Sequence, residues 1–454
     1  MKQLPSNAQG RDGGKGLRMK VGVVSLGCVK NQVDTEQMLS LLLGEGYEWT
    51  ANASEAEVIL VNTCGFITSA KEQSIDVILN MARYKTEGRC RLLVVTGCLS
   101  QRYPKNLLDQ IPEIDILMGV NQYAELPAAI ERALRAERPC LCEDNYTYFE
   151  HERYLSPSSP TAYIRIGEGC SNRCTFCAIP LIRGPYRSRD EEAILREIRS
   201  LAAAGVREHI LVAQDTTRYG TENHPHTTLP DLMRKAASVD GVDWLRVLYC
   251  YPDETSEELL DVLADVDHIC PYLDIPIQHI NADLLRRMHR RGTREDILRC
   301  VRGARQRGLT LRTTLIVGFP GETEDQFKEL LDFVEETEFD RLGAFIFSPE
   351  DGTPAAKMPH RVPPSVQRRR LDQLMTLQQK ISLKRNQSRI GSVEQVLITE
   401  ADDHGNAVGR SSREIPESDG EIYLSCGQAR PKPGLFIPVK ITDAEEYDLR
   451  GIML

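Results

Sequence analysis

Between residues 20 and 138 the chain alternates short aliphatic runs with longer amphipathic stretches. The runs at 21–25, 58–62, 92–96 and 114–118 are mostly β-branched or aliphatic, as strands buried on both faces of a parallel sheet should be. Between the first two, residues 33–43 predict a helix that closes at Gly44 and Gly46. Ser69-Ala-Lys-Glu72 reads as a capping box opening a second helix, with Ile75, Leu79 and Ala82 on its apolar face. Leu126, Ile130 and Leu134 mark another helix after the fourth run. Strand–helix alternation with short turns predicts a doubly wound parallel sheet over residues 20–138.

Residues 139–160 read as a linker, ending in Ser156-Pro-Ser-Ser-Pro160. A second alternating series follows, with strands expected at 162–166, 209–213, 245–249, 273–277, 311–317 and 342–347, and helical patterns such as 191–204 and 324–337. Six β/α units are too few for a closed eight-stranded barrel, so residues 161–388 predict a partial (β/α)6 barrel. After Pro363-Pro364 one long helix runs to about Gln387. Residues 389–454 change to short β runs at 395–398, 421–424 and 436–441, which predict a small five-stranded barrel. The fold class is therefore α/β with a small all-β barrel at the C-terminus. Residues 1–19 are polar and Gly-rich, lack the apolar core of a secretion signal, and read as a disordered tail. No run approaches the roughly 20 apolar residues of a membrane span, so a cytoplasmic protein is expected.

Charge narrows the partners. The 454 residues hold 56 Lys and Arg against 66 Asp and Glu, a net charge of −10, which argues against a sequence-independent grip on nucleic acid. The charge is unevenly spread. Residues 361–390 hold eight Lys or Arg and one Asp, whereas 391–454 hold twelve Asp or Glu and six Lys or Arg. An acidic terminal domain suits a basic protein partner. The thirteen cysteines, odd in number and in a long chain without a secretion signal, point to metal or redox chemistry ahead of a disulfide framework.

Cys170-Ser-Asn-Arg-Cys174-Thr-Phe-Cys177 sets three thiols at CxxxCxxC spacing just after the first expected barrel strand. Soft thiolates select iron–sulfur clusters, zinc or Cu(I). Zinc would want a fourth ligand, and none is evident nearby. Three cysteines on a short loop suit a four-iron cluster whose open iron can hold a small chelating substrate; packing or zinc cysteines are the alternative. Barrels of this kind build sites at the C-terminal ends of their strands. There the sequence places Gln214-Asp-Thr-Thr-Arg-Tyr-Gly220, Asp274-Ile-Pro-Ile-Gln-His279 and Gly318-Phe-Pro-Gly-Glu-Thr323. His279 reads equally as a hydrogen-bonded barrel histidine. Cys28, Cys64 and Cys98 each lie within three residues of an expected strand end in the first domain. In a parallel sheet those ends share one edge, where ligands bind, so these thiols predict a second metal site; three buried structural cysteines are the alternative. Cys90, Cys140, Cys142, Cys250, Cys270, Cys300 and Cys426 show no such pattern.

The CxxxCxxC loop after a barrel strand resembles the radical S-adenosylmethionine (SAM) superfamily. The order of a three-cysteine α/β domain, this barrel and a terminal β-barrel resembles the methylthiotransferases within it, whose terminal barrel is called a TRAM domain. Carrying the likeness are Ser25-Leu-Gly-Cys-Val-Lys-Asn-Gln-Val-Asp34, Glu168-Gly-Cys170, Ile182-Arg-Gly-Pro-Tyr-Arg-Ser-Arg189, Asp274 to His279, Ser348-Pro-Glu-Asp-Gly-Thr353 and Glu446-Tyr-Asp-Leu449. They resemble the branch that modifies an aspartate of the twelfth small-subunit ribosomal protein more than the tRNA-modifying branch, which remains the alternative; a non-enzymatic zinc-bearing protein is the remote one. Val29 and Ser418 depart from the family's usual residues.

This resemblance implies two [4Fe-4S] clusters, one on Cys170, Cys174 and Cys177 and one on Cys28, Cys64 and Cys98. It implies SAM as radical source and methyl donor, contacted by Phe176, Gln214, Gly318 and Glu322, with Phe176 reading equally as a core residue, and β-methylthioaspartate as product. Implied partners are the ribosomal protein or assembled subunit, an electron donor such as flavodoxin or ferredoxin, and ribosomal RNA against the basic helix. Arg183, Arg187 and Arg189 read either as arginines that meet the carboxylates of SAM or substrate or as surface charge. No catalytic residue is assigned from the sequence.

Overall fold

The computed structural model describes residues 19–144, 147–155, 159–222 and 227–454. The expected tail, up to residue 18, and residues 156–158 of the expected linker lie outside the described residues. Six strands, β1 (Lys20–Ser25), β2 (Glu48–Trp49), β3 (Val58–Thr63), β4 (Leu92–Gly97), β5 (Ile116–Met118) and β6 (Cys140–Leu141), form one sheet in the order β2-β1-β3-β4-β5-β6, parallel at every pairing. Side chains alternate across a strand, and β3 uses both faces. Val58 and Leu60 pack with Met38, Leu39 and Leu42 of the helix Val29–Gly44. Ile59 and Val61 pack with Ile78 of the helix Thr68–Ala82 on the other side.

The central domain comprises β7 (Thr161–Arg165), β8 (Gly167–Glu168), β9 (Arg187–Ser188), β10 (Glu208–Val212), β11 (Trp244–Val247), β12 (Tyr272–Asp274), β13 (Thr310–Val317) and β14 (Arg341–Ile346). Strands β7, β10 and β11 pair in parallel, as do β12, β13 and β14. A bridge between Leu245 and Ile269, with the Cys250 N–H donating to the Asp274 carbonyl at 3.0 Å, joins the halves into a six-stranded partial barrel. β8 and β9 form a small antiparallel ribbon that brackets residues 169–186.

The helix Pro364–Gln387 lays Leu374 and Ile381 on the barrel's outer core and leads into β15 (Val393–Ala401), β16 (Asn406–Arg410), β17 (Ile422–Ser425), β18 (Phe436–Ala444) and β19 (Leu449–Met453). These close a barrel in the order β15-β16-β17-β19-β18. This terminal domain sits under the N-terminal ends of the central strands. Glu208 at the start of β10 pairs with Arg410 at 2.7 Å, Arg341 at the start of β14 with Glu414 at 2.9 Å, and Tyr272 at the start of β12 donates to Asp419 at 2.7 Å. Ile415 enters the same apolar cluster as Tyr163, Ile210 and Tyr272 inside the barrel, and Val33 of the first domain reaches that cluster too. Both ends of the barrel are thus covered by other domains.

Several local expectations are corrected. The first helix starts at Val29, four residues before the expected 33. The Ser69–Glu72 capping box does not form: the helix starts at Thr68, with Ile67 at its N-cap and no side-chain cap. Its buried stripe is Ser74, Ile78 and Ala82, while Ile75 and Leu79 are exposed. Both stripes satisfy helical spacing, and the Ser74 hydroxyl decides between them by holding the Cys64 loop: it accepts from the Cys64 N–H at 3.1 Å and donates to the Cys64 carbonyl at 3.0 Å. The expected linker begins with β6, which extends the first sheet. Charges on the long helix pair with the central domain, Arg370 with Glu322, Arg369 with Glu324 and Arg385 with Asp340, and Arg389 just beyond it pairs with Glu394 and Glu414 of the terminal barrel.

Candidate active site

Because β1, β3 and β4 are neighbours and parallel, their C-terminal ends form one edge, and Cys28, Cys64 and Cys98 follow those ends directly. Cys28 is the N-cap of the helix Val29–Gly44, and Cys98 opens the helix Cys98–Arg102. The loops touch. A Cβ added at Gly27, which has φ +93°, would lie 2.9 Å from the Cys64 Cβ and 3.2 Å from its Sγ. One added at Gly65 would lie 2.8 Å from the Cys98 backbone. Only glycine permits approaches this close. Asn31 ties the loops together, its Nδ2 donating to the carbonyls of Leu26 and Thr63, both at 2.9 Å. Asn62 donates back to the Asn31 carbonyl at 2.9 Å. Burial pushes the Cys64 thiol up to about 12, and the neighbouring Cys98 and Cys28 add to the rise. Burial likewise raises Cys98, against the opposing charge of Arg183.

The second cysteine set lies on the loop bracketed by β8 and β9. The Cys170 N–H donates to the Gly184 carbonyl at 3.0 Å and the Cys177 N–H to that of Cys174 at 3.1 Å. Thr175 is pinned to the C-terminal end of the helix Ala282–Arg287, its N–H on the Met288 carbonyl at 2.9 Å and its hydroxyl on that of Arg287 at 3.0 Å. The Arg290 guanidinium stands 3.9 Å from the Cys174 Sγ and 3.7 Å from the Tyr251 ring centroid. Burial pushes Cys170 up to about 11 and Cys177 up to about 12, with Cys174 adding to both.

The two sets meet across one interface. Arg183, six residues after Cys177 and buried, reaches the Cys98 Sγ at 3.6 Å, the Asn31 Oδ1 at 2.8 Å, Asp34 at 3.0 Å and Glu168 at 3.3 Å. Arg165 joins the same two carboxylates, on Asp34 and, at 3.1 Å, on Glu168. All four side chains are at most 2% exposed. Two cations and two anions thus compensate one another where isolated charges would be costly. Apolar contact continues the junction, with Cys98 packed against Ala178 and Ile182. Farther out, Glu350 takes Lys71 at 2.9 Å and Arg102 at 2.7 Å, so the Ser348–Thr353 segment is a second clamp between the domains. Arg189 is committed to Glu150 and Glu197. Arg183 and Arg189 are therefore buried structural cations, a role that neither sequence reading of them contained.

Of the remaining site candidates, Gln214 donates to Glu168 at 2.9 Å and keeps a buried Oε1 without a partner. Gly318 has φ +74° and gives its carbonyl to Gln367 at 3.0 Å. Glu322 is buried, salt-bridged to Arg370 at 2.8 Å, 3.3 Å from the His279 Nε2, and takes the Gly318 N–H. It shapes the glycine turn, and His279 stands behind it as a hydrogen-bonded barrel histidine. Phe176 packs at the edge of Leu284, Met288, Phe319 and Phe347.

Among the described residues no group of three or more His, Cys, Asp or Glu closes on a point, as a single ion would need. Two sets of three thiols, on loops tied together by hydrogen bonds and each with one thiol beside an arginine, are instead the donor chemistry of iron–sulfur clusters with one iron left open. The residues present fit such groups. All thirteen cysteines are free thiols.

Comparison with known proteins agrees with this layout. The profile of an uncharacterized protein family, UPF0004, matches residues 20–119, that of the radical SAM superfamily residues 164–334, and that of the TRAM domain residues 390–454. The fold is similar to that of the radical S-adenosylmethionine methyltransferase TsrM from Kitasatospora setae, with a TM-score of 0.57 at 15% identity over 80% of this chain and 89% of that one. The proteins named ribosomal protein uS12 methylthiotransferase RimO are much nearer in sequence. That of Desulforamulus reducens is 46% identical over 95% of this chain and 98% of its own length. That of Clostridioides difficile is 45% identical over 96% and 99%. Identity at this level along nearly the whole of both chains, over a fold that sets two three-cysteine groups against one interface, makes this chain a member of the RimO family of radical SAM methylthiotransferases.

Proposed function

We propose that the chain converts an aspartate of ribosomal protein uS12 to its β-methylthio derivative, using SAM and two four-iron clusters held by Cys28, Cys64 and Cys98 and by Cys170, Cys174 and Cys177. The observation that carries this reading is the junction at Arg183. One side chain that leaves the second cysteine loop touches a cysteine of the first, so a residue placed in the barrel mouth faces both sets. When bound, the clusters would supply reductive cleavage of SAM and a sulfur to transfer. The chain's own residues provide position and shelter. Phe176, Gln214, Gly318 and the Glu322-braced turn stand at the strand ends beside the second cysteine loop, where SAM would lie. Val33 and Ile415 close the barrel from its two ends and keep water from the centre.

The acidic terminal barrel suits a basic ribosomal protein, since opposite potentials steer encounter. Arg368 and Lys380 on the long helix are exposed, which supports contact with ribosomal RNA when the assembled subunit is the substrate. A small reductant such as flavodoxin or ferredoxin is the expected electron donor. A ribosomal substrate puts the reaction in the cytoplasm; among the described residues no helix is long and apolar enough to cross a membrane. The test supplies uS12 and tRNA separately, with SAM and reductant, and weighs both products. Mass gained on the protein is expected, and mass gained only on the tRNA would overturn the reading.

A further inference from the structure

The helix Val29–Gly44 lies over the mouth of the central barrel with one face: Asp34 and Gln37 hold Arg165, and Val33 enters the barrel cluster. Lys30 is on the same face one turn earlier, two residues after Cys28. It is 7% exposed. Its Nζ donates to the Ala213 carbonyl at 3.2 Å, at the end of β10 and next to Gln214, and stands 3.8 Å from the Tyr249 ring centroid. An ammonium has three N–H donors, and among the described residues this is the one hydrogen bond it makes.

Buried cations are normally paired with an anion, yet among the described residues Lys30 forms no salt bridge. The nearby carboxylates are committed elsewhere. Asp34 takes Arg165, Arg183 and Tyr123. Asp274 takes the Tyr249 N–H and Arg312, each at 2.8 Å. Tyr249 itself has φ +66°, a left-handed backbone that a bulky residue adopts only when held there; this holds its ring beneath the ammonium. Among the described residues Lys30 therefore has no carboxylate partner in the barrel mouth, on the helix that Cys28 caps and against the residue that precedes Gln214.

We infer that Lys30 is a specificity-determining residue that binds the side-chain carboxylate of the substrate aspartate and so holds its β-carbon between the two cysteine sets. This rests on the function proposed above. An aspartate carboxylate is one bond from the carbon to be modified, so an ammonium fixed in the barrel mouth sets that carbon's position directly. It also rejects an amide in the same place, since asparagine brings no charge to neutralise the buried cation.

The test uses cluster-loaded protein under anaerobic conditions and measures binding of uS12 and of uS12 with its target Asp changed to Asn. Unaltered enzyme is expected to prefer the aspartate form by about tenfold, the scale of a hydrogen bond to a charged group. Lys30→Met is expected to bring the two affinities within about twofold, and Lys30→Arg, which keeps the charge, to preserve the preference, so that a folding defect and a lost recognition are told apart. If Lys30→Met still prefers aspartate, or weakens SAM binding and leaves that preference intact, the inference is overturned; the second result would assign Lys30 to the carboxylate of SAM. If unaltered enzyme modifies no aspartate of uS12, the underlying function falls instead.

Discussion

Arg183 Nη2 lies 3.6 Å from Cys98 Sγ, joining a residue just beyond the second cysteine loop to a cysteine of the first. The contact belongs to a buried quartet with Asp34, Arg165 and Glu168 that carries no net charge. Removing one member leaves an uncompensated charge in the interface. Arg183→Met is expected to destabilise the protein by about 3–5 kcal/mol, read as a lower urea midpoint. Replacing Asp34 and Arg183 together by Asn and Met should cost less than the sum of the single changes, because the double variant strands fewer charges.

Gly27 offers a test of the first cysteine set that leaves every thiol in place. An alanine there would enter the left-handed region, at about 1–2 kcal/mol, and press on Cys64. Gly27→Ala is expected to lower iron and sulfide to the level of one cluster per chain while SAM cleavage continues. Full iron content in that variant would mean that the Cys64 loop yields without losing its donor.

Replacement of the two cysteine sets should separate two activities. Alanine at Cys170, Cys174 and Cys177 is expected to abolish SAM cleavage and everything that follows. Alanine at Cys28, Cys64 and Cys98 is expected to leave SAM cleavage measurable and stop sulfur insertion, as followed by the mass of uS12. Loss of SAM cleavage in both variants would contradict this division of labour.

His209, in β10, is fully buried. Burial lowers its value from 6.5 to about 4, so the folded chain holds it neutral while the unfolded chain protonates it near 6.5. Its contribution is therefore complete above pH 6.5 and is lost as pH falls toward 4. Between pH 7 and pH 5 it removes about 2 kcal/mol of stability. His209→Leu should flatten that part of the stability profile, and parallel denaturation curves at the two pH values measure the difference.

Much of this architecture was legible in the chain. All ten principal strands of the first two domains announced themselves as aliphatic runs, and the rule that ligands gather at strand C-termini brought Cys28, Cys64 and Cys98 to one edge before any coordinates. What stayed hidden depends on partners far apart in sequence. Asp34 and Arg165 are 131 residues apart and Asp34 and Arg183 are 149 apart, and no local period marks such a pair. The same limit explains the misassigned stripe at Ile75 and Leu79: spacing was right for either face, and a single hydroxyl on Ser74 selected the other. Lys30 fell outside the helix expected at residues 33–43, and only the packing of the helix Val29–Gly44 on the barrel brings it to Ala213.

The terminal barrel's place under β10, β12 and β14 has a consequence for how the chain is made. Glu208 and Arg246 are buried and pair with each other at 3.1 Å, and the terminal barrel adds Arg410 to Glu208 at 2.7 Å and the Ser412 carbonyl to Arg246 at 2.9 Å. Those partners are synthesised some two hundred residues later. Until the last stretch leaves the ribosome, Glu208 and Arg246 have only each other and Arg341 lacks the Glu414 carboxylate, so the floor of the barrel is short of its final packing. The central barrel is therefore completed by the last part of the chain to be made, and a chain cut short before residue 410 is expected to keep that floor open.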